Sequence, residues 1–337
     1  MFAGDFSPQR LRSIPSLRKR RVFGKYRFRV WEYRLQLPLE LIRSNLRYSL
    51  RMRKIWYLVL LIAFCATIGK GWYWVRNGFS LARLNGWTHE LEGTWWDPEA
   101  DNAMAQEFTY LGRGRQAFAF ESSDGRYVLK LPRADIYKIP FWLRALPFEK
   151  KRQRQISRKA IRETEILQSF QLAIEELRES TALIAMNCSK FRVPPGKTVT
   201  IVDKIGRSFR LPLDQSYFIL QRKKKLFRDA IVEAFEKEGT PGVERVLDAT
   251  FAVIVERTAK GILNRDGSFL RNYGFDEKRA YQTDIGSFFQ AEDVPQQDVY
   301  FHSMELSVKP MRRWMKAVHP EWLELLDARR TLVEEMR

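Results

Sequence analysis

Residues 107–131 read EFTYLGRGRQAFAFESSDGRYVLKL and predict three short strands. The runs Phe108–Leu111, Ala117–Glu121 and Arg126–Leu131 have the length and the apolar content of strands. The second turn contains Asp124-Gly125, a strong hairpin signal because both residue types accept the backbone of a tight turn. The first turn is rich in glycine. We therefore expect an antiparallel meander whose third strand carries a lysine.

A helix is predicted after the meander, from about Ser157 to Ser180. Residues placed at 100° steps give one apolar face, made of Ile166, Leu167, Phe170, Ala173, Ile174 and Leu177. Glu163 lies in the middle of this face, whereas Glu165 points away from it. A carboxylate on an apolar face is costly unless a cation meets it, and Lys130 is the natural candidate.

Residues 261–286, GILNRDGSFLRNYGFDEKRAYQTDIG, predict a second hairpin farther along the chain. A short strand, the polar turn Asp276–Arg279 and a second strand lead into Asp284-Ile285-Gly286. Since a hairpin brings its two ends together, Asn272 and Asp284 are expected side by side at its open end. Two further strands, Val199–Val202 and Tyr217–Gln221, and a buried helix, Val243–Thr258, precede this hairpin.

In this order, these elements resemble the protein-kinase-like fold, which includes aminoglycoside phosphotransferases and lipopolysaccharide-core sugar kinases. The resemblance covers about residues 107–290. It implies an α+β class and a bilobal domain with an antiparallel N-lobe sheet and a helical C-lobe. That C-lobe is shortened, because only about 50 residues follow Asp284-Ile285-Gly286 and they contain no Ala-Pro-Glu-like motif.

The resemblance also implies a nucleotide site. Gly112 and Gly114 stand at the start of a glycine-rich loop that covers the nucleotide phosphates, and Lys130 resembles the third-strand lysine that contacts them. Glu163 takes the place of the helix glutamate that partners this lysine. The implied nucleotide is ATP.

The catalytic group and the metal ligands follow from the same resemblance. Arg265-Asp266 is similar to the catalytic-loop Arg-Asp pair, which makes Asp266 the expected base for a substrate hydroxyl. Asn272 and Asp284 are then the expected ligands of Mg²⁺, and Asp284 lies 18 residues after Asp266, a typical family spacing.

Several positions depart from the family pattern. Ala117 replaces the third loop glycine, and Asn264 stands where the catalytic loop has its usual histidine. Five residues rather than four separate Asp266 from Asn272. These departures leave three functions open: an ATP-dependent phosphotransferase acting on a membrane-associated glycolipid or protein acceptor, a catalytically inactive pseudokinase that acts as a binding scaffold, and a basic membrane-bound scaffold unrelated to kinases.

A single transmembrane helix is predicted at residues 55–75. Ile55–Gly69 carries no charge, and the segment counted through Val75 spans about 31 Å, enough to cross the hydrocarbon. Lys70 is close enough to the end to snorkel, and Trp72 to Trp74 suit an interfacial aromatic belt. The alternatives are a buried core helix of a soluble protein and a cleaved signal peptide.

Charge separates the arm before this helix from the rest of the chain. Residues 1–54 hold fifteen Lys/Arg against three Asp/Glu, whereas residues 76–337 hold 43 against 37. Such an arm is expected to face anionic membrane lipids, and nucleic acid is an unlikely partner because no nucleic-acid-binding motif is present. The larger number of Lys/Arg before the helix predicts a cytoplasmic arm, which would put the downstream domain on the side where a bacterium supplies no ATP.

The expected organisation is a basic arm at 1–54, the membrane helix at 55–75, a loop-like linker at 76–105 and the kinase-like domain at 106–337. The basic stretch Arg144–Arg162 is expected to be either a solvated helix face or a contact for lipid phosphates or an acidic substrate. Two cysteines far apart in sequence and three histidines make a disulfide framework and a His/Cys metal site improbable.

Overall fold

The structure is a computed structural model that describes residues 39–335, apart from 92, 141, 142, 144–146, 190–192, 194, 195, 278 and 293. Side chains are described from Met52 onward. The chain divides into two compact units, Met1–Phe64 and Cys65–Arg337. Because the description begins at residue 39, most of the basic arm lies outside it, and the contact of this arm with lipids stays a prediction.

The described chain mixes helices and strands. The helices are α1 Leu39–Val75, α2 Glu99–Met104, α3 Glu149–Glu175, α4 Phe227–Glu238, α5 Thr240–Ala259, α6 Phe269–Asn272, α7 Gln296–Val318 and α8 Leu323–Glu335. The strands are β1 Thr94–Trp96, β2 Glu107–Arg113, β3 Ala117–Ser122, β4 Tyr127–Pro132, β5 Leu183–Asn187, β6 Thr198–Val202, β7 Ser208–Pro212, β8 Phe218–Arg222, β9 Lys225–Leu226, β10 Ile262–Asn264, β11 Tyr273–Phe275, β12 Ala280–Gln282 and β13 Phe288–Gln290.

Eight strands form a curled sheet in the order β1-β5-β8-β4-β3-β2-β6-β7. The predicted meander β2-β3-β4 is confirmed, because β3 pairs antiparallel with both of its neighbours. Alternation in β3 buries Phe118 and Phe120 on one face. The sequence had suggested an antiparallel sheet. The pairing of β2 with β6 is parallel, however, so the sheet is mixed.

The segment 76–105 is more ordered than the predicted linker. It contains β1, which adds an edge strand to β5, and the short helix α2. Phe79 is buried in this segment and contacts the rings of Phe118 and Phe120 edge-on, with centroid distances of 5.2 and 5.3 Å. The abundant glycine and tryptophan in this segment suggested a loop, but its aromatic side chains belong to the sheet's core.

The helices agree with the sequence in kind and differ in their bounds. α3 begins at Glu149 rather than near Ser157 and ends at Glu175 rather than Ser180. Its predicted apolar face is buried, including Phe170 and Ile174. The helices α4, α5, α7 and α8 share a separate core around Phe251, which lies in the predicted buried helix. These elements establish a mixed α+β fold; the bilobal layout stays a prediction.

The helix α1 is long and apolar enough to cross a membrane from Met52 to Val75. None of this segment is buried by the described residues, and its large apolar side chains, including Trp56, Leu61 and Trp72, are exposed. A buried core helix would be covered, so that alternative does not hold for the described chain. The helix is consistent with a membrane anchor or with a signal sequence.

Candidate active site

The β11–β12 hairpin brings Asn272 and Asp284 together as predicted. Tyr273 pairs with Gln282 in the antiparallel register, so the residues flanking the two strands lie at one end. There the amides of Thr283 and Asp284 donate to the Asn272 carbonyl oxygen at 2.7 and 3.4 Å. The two predicted metal ligands are thereby held on adjacent backbone.

The donor set at this end fits a hard divalent cation. The Asp284 carboxylate accepts one hydrogen bond, from the Gly286 amide at 3.2 Å, which leaves it oxygen capacity for a cation. The Asn272 side chain is buried, and its amide nitrogen makes no well-formed hydrogen bond within the described residues. Carboxylate and amide oxygens are ligands that Mg²⁺ accepts. Ligation by these two residues stays a prediction.

Asp266 follows β10, which pairs with β13. Its amide donates to Asn264 Oδ1, and its own Oδ1 accepts from the Ser268 amide, both at 2.9 Å. Burial raises the pKa of this carboxyl. The hydrogen bonds from Ser268, the charge of Arg115 and the side chain of Asn272 together outweigh burial and hold the pKa below its ordinary value. Asp266 is therefore an ionised acceptor at neutral pH.

Lys130 points from the centre of the sheet into the same cleft. Its Nζ donates to the Thr283 carbonyl at 2.6 Å, immediately before Asp284. Burial lowers the pKa of this ammonium, and the nearby Asp284 carboxylate opposes that shift without cancelling it. An ammonium held with little solvation is prepared to bind an anion.

Glu163 is buried on the apolar face of α3, as predicted, but its partner is not Lys130. The carboxylate accepts from the Thr88 amide at 2.5 Å, the Thr88 hydroxyl at 2.6 Å and the His89 amide at 3.2 Å. No ion pair joins Lys130 to Glu163 among the described residues. The predicted pairing is wrong in this structure, because neutral donors from the segment 76–105 satisfy the carboxylate instead. A role for Glu163 in nucleotide binding stays a prediction.

The neighbouring acid Glu165 contacts the predicted catalytic loop. Its Oε1 lies 2.9 Å from Arg265 Nη1. The helical period correctly separates the two acids, one buried and one half-buried, but it does not identify their partners. A long-range ion pair of this kind leaves no signal in the sequence.

The glycine-rich turn between β2 and β3 lies over this cleft. The strand pairing shifts register between Tyr110 and Gly112, and the Gly114 amide donates to the Ala117 carbonyl at 2.8 Å. Gln116 Nε2 donates to the Gly286 carbonyl at 3.1 Å, which joins the turn to Asp284-Ile285-Gly286. Sequence reasoning missed Gln116, since an exposed-looking glutamine in a turn has no motif of its own.

One cavity of about 450 Å³ collects these groups. Its lining includes Gly114, Lys130, Asp266, Asn272 and Asp284, which are five of the seven residues chosen from the sequence. Gly112 and Glu163 do not line it.

A second cavity, of about 680 Å³, shares Lys130 and Thr283 with the first. Its apolar lining includes Leu111, Val128 and Leu226. The same lining also carries basic side chains, among them Lys223, Lys224 and Arg271, so this cavity suits a ligand with both an apolar and an anionic part.

The two cysteines differ in their exposure. Cys65 is exposed on α1 and Cys188 is buried, and burial raises the pKa of the Cys188 thiol. No group of three or more His, Cys, Asp or Glu side chains suited to a metal occurs among the described residues.

No family model matches the chain, and no curated protein sequence matches it significantly. Two solved structures of WbdD, one described as a bifunctional kinase-methyltransferase, are similar to it at 14% identity. The similarity covers 64% of this chain and 44% or 43% of theirs, so the chain spans less than half of their length. The TM-scores, 0.32 and 0.31, are too low for these likenesses to support an argument about activity.

Proposed function

We propose that this protein is a membrane-anchored phosphotransferase that uses ATP and Mg²⁺. The observation that carries the proposal is the convergence of Lys130, Asp266, Asn272 and Asp284 on one cavity under a glycine-containing turn. Phosphoryl transfer needs cations at the polyphosphate, oxygen ligands for a metal and a carboxylate to align the acceptor. The cavity contains each of these types.

In this proposal Asp266 accepts a hydrogen bond from the acceptor hydroxyl and aligns its oxygen for attack. A low pKa suits alignment better than strong general-base catalysis, because a weakly basic carboxylate holds the proton loosely. Lys130 exchanges the Thr283 carbonyl for a phosphate oxygen. Mg²⁺, when held by Asn272 and Asp284, would supply charge neutralisation at the phosphates. The bilobal layout belongs to the same proposal.

The acceptor is proposed to be membrane-associated and anionic, a glycolipid or a protein. The exposed apolar helix α1 supports the first property. The second is supported by a cavity of about 410 Å³ that shares Arg115 with the cleft and adds Arg162. It is also lined by Arg265, whose charge is paired with that of Glu165. Arg115 lies 3.9 Å from Asp266, so an anionic group in this cavity would be near the aligning carboxylate.

A pseudokinase is the second candidate. Glu163 is occupied by Thr88 and His89, and Asn264 supports the loop where kinases use histidine. A cleft of this kind binds a nucleotide and does not transfer its phosphate. The difference between the two candidates is therefore turnover, since both predict nucleotide binding.

The test uses the full chain in lipid nanodiscs, with binding of a fluorescent ATP analogue and ATP turnover measured with and without Mg²⁺. Phosphotransfer predicts Mg²⁺-dependent binding that Lys130→Ala removes, and turnover that Asp266→Asn removes. Lys197→Ala, a surface lysine paired with Asp101, is the control. Binding without turnover in the presence of membrane extract would favour the pseudokinase. Absence of binding would overturn both and leave the basic scaffold.

A further inference from the structure

Four arginines gather around the end of α1. Arg76 and Arg207 lie over the Trp72 ring, each with its guanidinium carbon 5.8 Å from the centroid. Arg83 and Arg113 lie over the Tyr73 ring at 4.9 and 5.4 Å. They come from three stretches of the chain, residues 76–83, Arg113 and Arg207, so their meeting is a product of the fold. We call Arg76, Arg83, Arg113 and Arg207 the arginine cluster.

Rigid backbone holds this cluster in place. Directly after α1, Asn77 and Gly78 adopt left-handed backbone, with φ values of 48° and 72°, and the Gly78 amide donates to the Tyr73 carbonyl at 2.8 Å. The chain therefore reverses within two residues, and Phe79 enters the core of the sheet. A Cβ atom at Gly78 would lie 2.5 Å from Arg113 Nη1. The turn after α1 and the Arg113 side chain are therefore closely packed.

The cluster carries more positive charge than its acids neutralise. Asp203 is bound by the Arg207 guanidinium at 2.8 Å and lies 3.8 Å from Arg76. Asp135 is bound by Arg133 at 2.9 Å and lies 3.7 Å from Arg83. Within the cluster, Asp203 thus neutralises Arg207. Arg76 and Arg83 receive only the long contact of one acid each.

Arg76 shows the imbalance most directly. Its Nε is buried and has no hydrogen-bond partner among the described residues. Burial lowers the pKa of this guanidinium, and repulsion from Arg207 and Arg83 adds to the shift against the attraction of Asp203. A buried donor among like charges is costly unless an anion meets it.

We infer that the arginine cluster binds the phosphate of an anionic lipid headgroup at the membrane surface. Trp72 and Tyr73 end a helix that is long and apolar enough to span, and such aromatic rings lie at headgroup level. Guanidinium groups bind phosphate through paired hydrogen bonds, and Arg113 and Arg207 are exposed for such a contact. The inference rests on the membrane-anchor part of the proposed function and does not use its nucleotide chemistry.

This binding would fix the cleft near the bilayer. Arg113 stands between Gly112 and Gly114 and donates to the Tyr73 hydroxyl, so the strand before the glycine-rich turn is joined to the membrane helix. A lipid phosphate on Arg113 would order β2 at that point. The arm at residues 1–54 precedes the membrane segment, whereas Trp72 and Tyr73 lie at its end. The lipid bound by the cluster is therefore distinct from the lipids that face the arm.

The test compares the full chain in nanodiscs of neutral phosphatidylcholine with discs containing phosphatidylglycerol. Hydrogen exchange is followed in peptides covering residues 76–83, 107–114 and 203–208, because total lipid affinity would also report the basic arm. We expect exchange in the anionic discs to be about tenfold slower, because arginines near an anionic leaflet are stabilised by its phosphates. The slowing should disappear in Arg76→Gln/Arg113→Gln and persist in Arg312→Gln, an arginine paired with Asp327.

Three outcomes would count against the inference. Equal exchange in both discs would overturn it, and so would slowing that survives in the double variant. Equal slowing by inorganic phosphate in neutral discs would show that free phosphate, not lipid, is the ligand. Arg76→Lys keeps the charge without the paired hydrogen bonds, and we expect partial slowing there. Failure of the chain to integrate into discs would instead refute the membrane anchor.

Discussion

The Asp284 amide donates to the Asn272 carbonyl at 3.4 Å, across the open end of the β11–β12 hairpin. This bond joins the two expected metal ligands through backbone rather than through their side chains. The side-chain oxygens therefore stay available, and removing one should leave the hairpin intact.

Asp284→Ala should abolish Mg²⁺-dependent nucleotide binding with little loss of thermal stability. The hairpin keeps its backbone hydrogen bonds, and what is lost is the hydrogen bond from the Gly286 amide and the attraction to Lys130. Titration with a fluorescent ATP analogue at varied Mg²⁺ measures the effect. Asp298→Ala, an exposed acid at the start of α7, is the matched control. Unchanged Mg²⁺ dependence in Asp284→Ala would refute its assignment as a ligand.

Lys130→Met should stabilise the nucleotide-free protein. Because burial lowers the folded-state pKa of Lys130, folding is opposed while both states are charged, and this penalty fades as pH rises from the folded pKa towards the unfolded value. Removing the charge should raise the melting temperature at neutral pH, by about 2–4 °C for each kcal/mol gained in the free energy of unfolding. Lys138→Met is the control, since that lysine bonds a carbonyl while exposed. A lower melting temperature for Lys130→Met would contradict the argument.

Glu163→Gln should destabilise the fold by about 1–3 kcal/mol, because a buried acceptor of three hydrogen bonds loses its charge. A double-mutant cycle with Thr88→Val should give a coupling free energy of about 0.5–3 kcal/mol. Chemical denaturation measures both. If nucleotide binding were lost while stability stayed unchanged, Glu163 would belong to the nucleotide site instead.

Asp266→Asn should lower stability at neutral pH but not in acid. The folded pKa of Asp266 lies below its ordinary value of about 3.9, so the ionised group stabilises the fold above that value and the contribution fades as pH falls through the folded pKa. Melting curves from pH 7 to pH 3 should converge for the variant and the parent. In an active preparation, the same variant should lose about 10²–10⁴-fold in turnover. A constant stability difference across this pH range would exclude the ionic contribution.

Leu61→Arg/Ile62→Arg should release the chain from membranes. Both positions lie near the middle of the exposed apolar segment, where each arginine costs about 2.5–3.5 kcal/mol of insertion free energy. Resistance to alkaline extraction measures anchoring, and Leu61→Ala/Ile62→Ala is the control. An unshortened chain on a denaturing gel would separate an anchor from a cleaved signal sequence.

The local elements of this fold are readable because each depends on a short periodicity. Alternation and an Asp-Gly turn define the β2-β3-β4 meander, and the 100° period buries Glu163 on α3. The paired ends of β11 and β12 bring Asn272 to Asp284. Backbone geometry alone fixes these relations, so no distant partner has to be known.

Side-chain partners depend on distance in space, and there the sequence was insufficient. Glu163 is 75 residues from Thr88, which satisfies it, and Gln116 is 170 residues from Gly286. The segment 76–105 looked like a linker because its aromatic residues follow no period, yet Phe79 is part of the core. Competition among all nearby donors selects a partner, and only the folded chain defines which donors are near.

The same division applies to charge. Composition locates an excess of positive charge in residues 1–54 and an apolar segment after it, because both are sums over neighbouring residues. The arginine cluster joins Arg76 and Arg83 to Arg113 and Arg207, and its meaning depends on the acids that fold beside it. Tertiary structure decided this site, since electrostatic balance is set by distance between groups and not by their order along the chain.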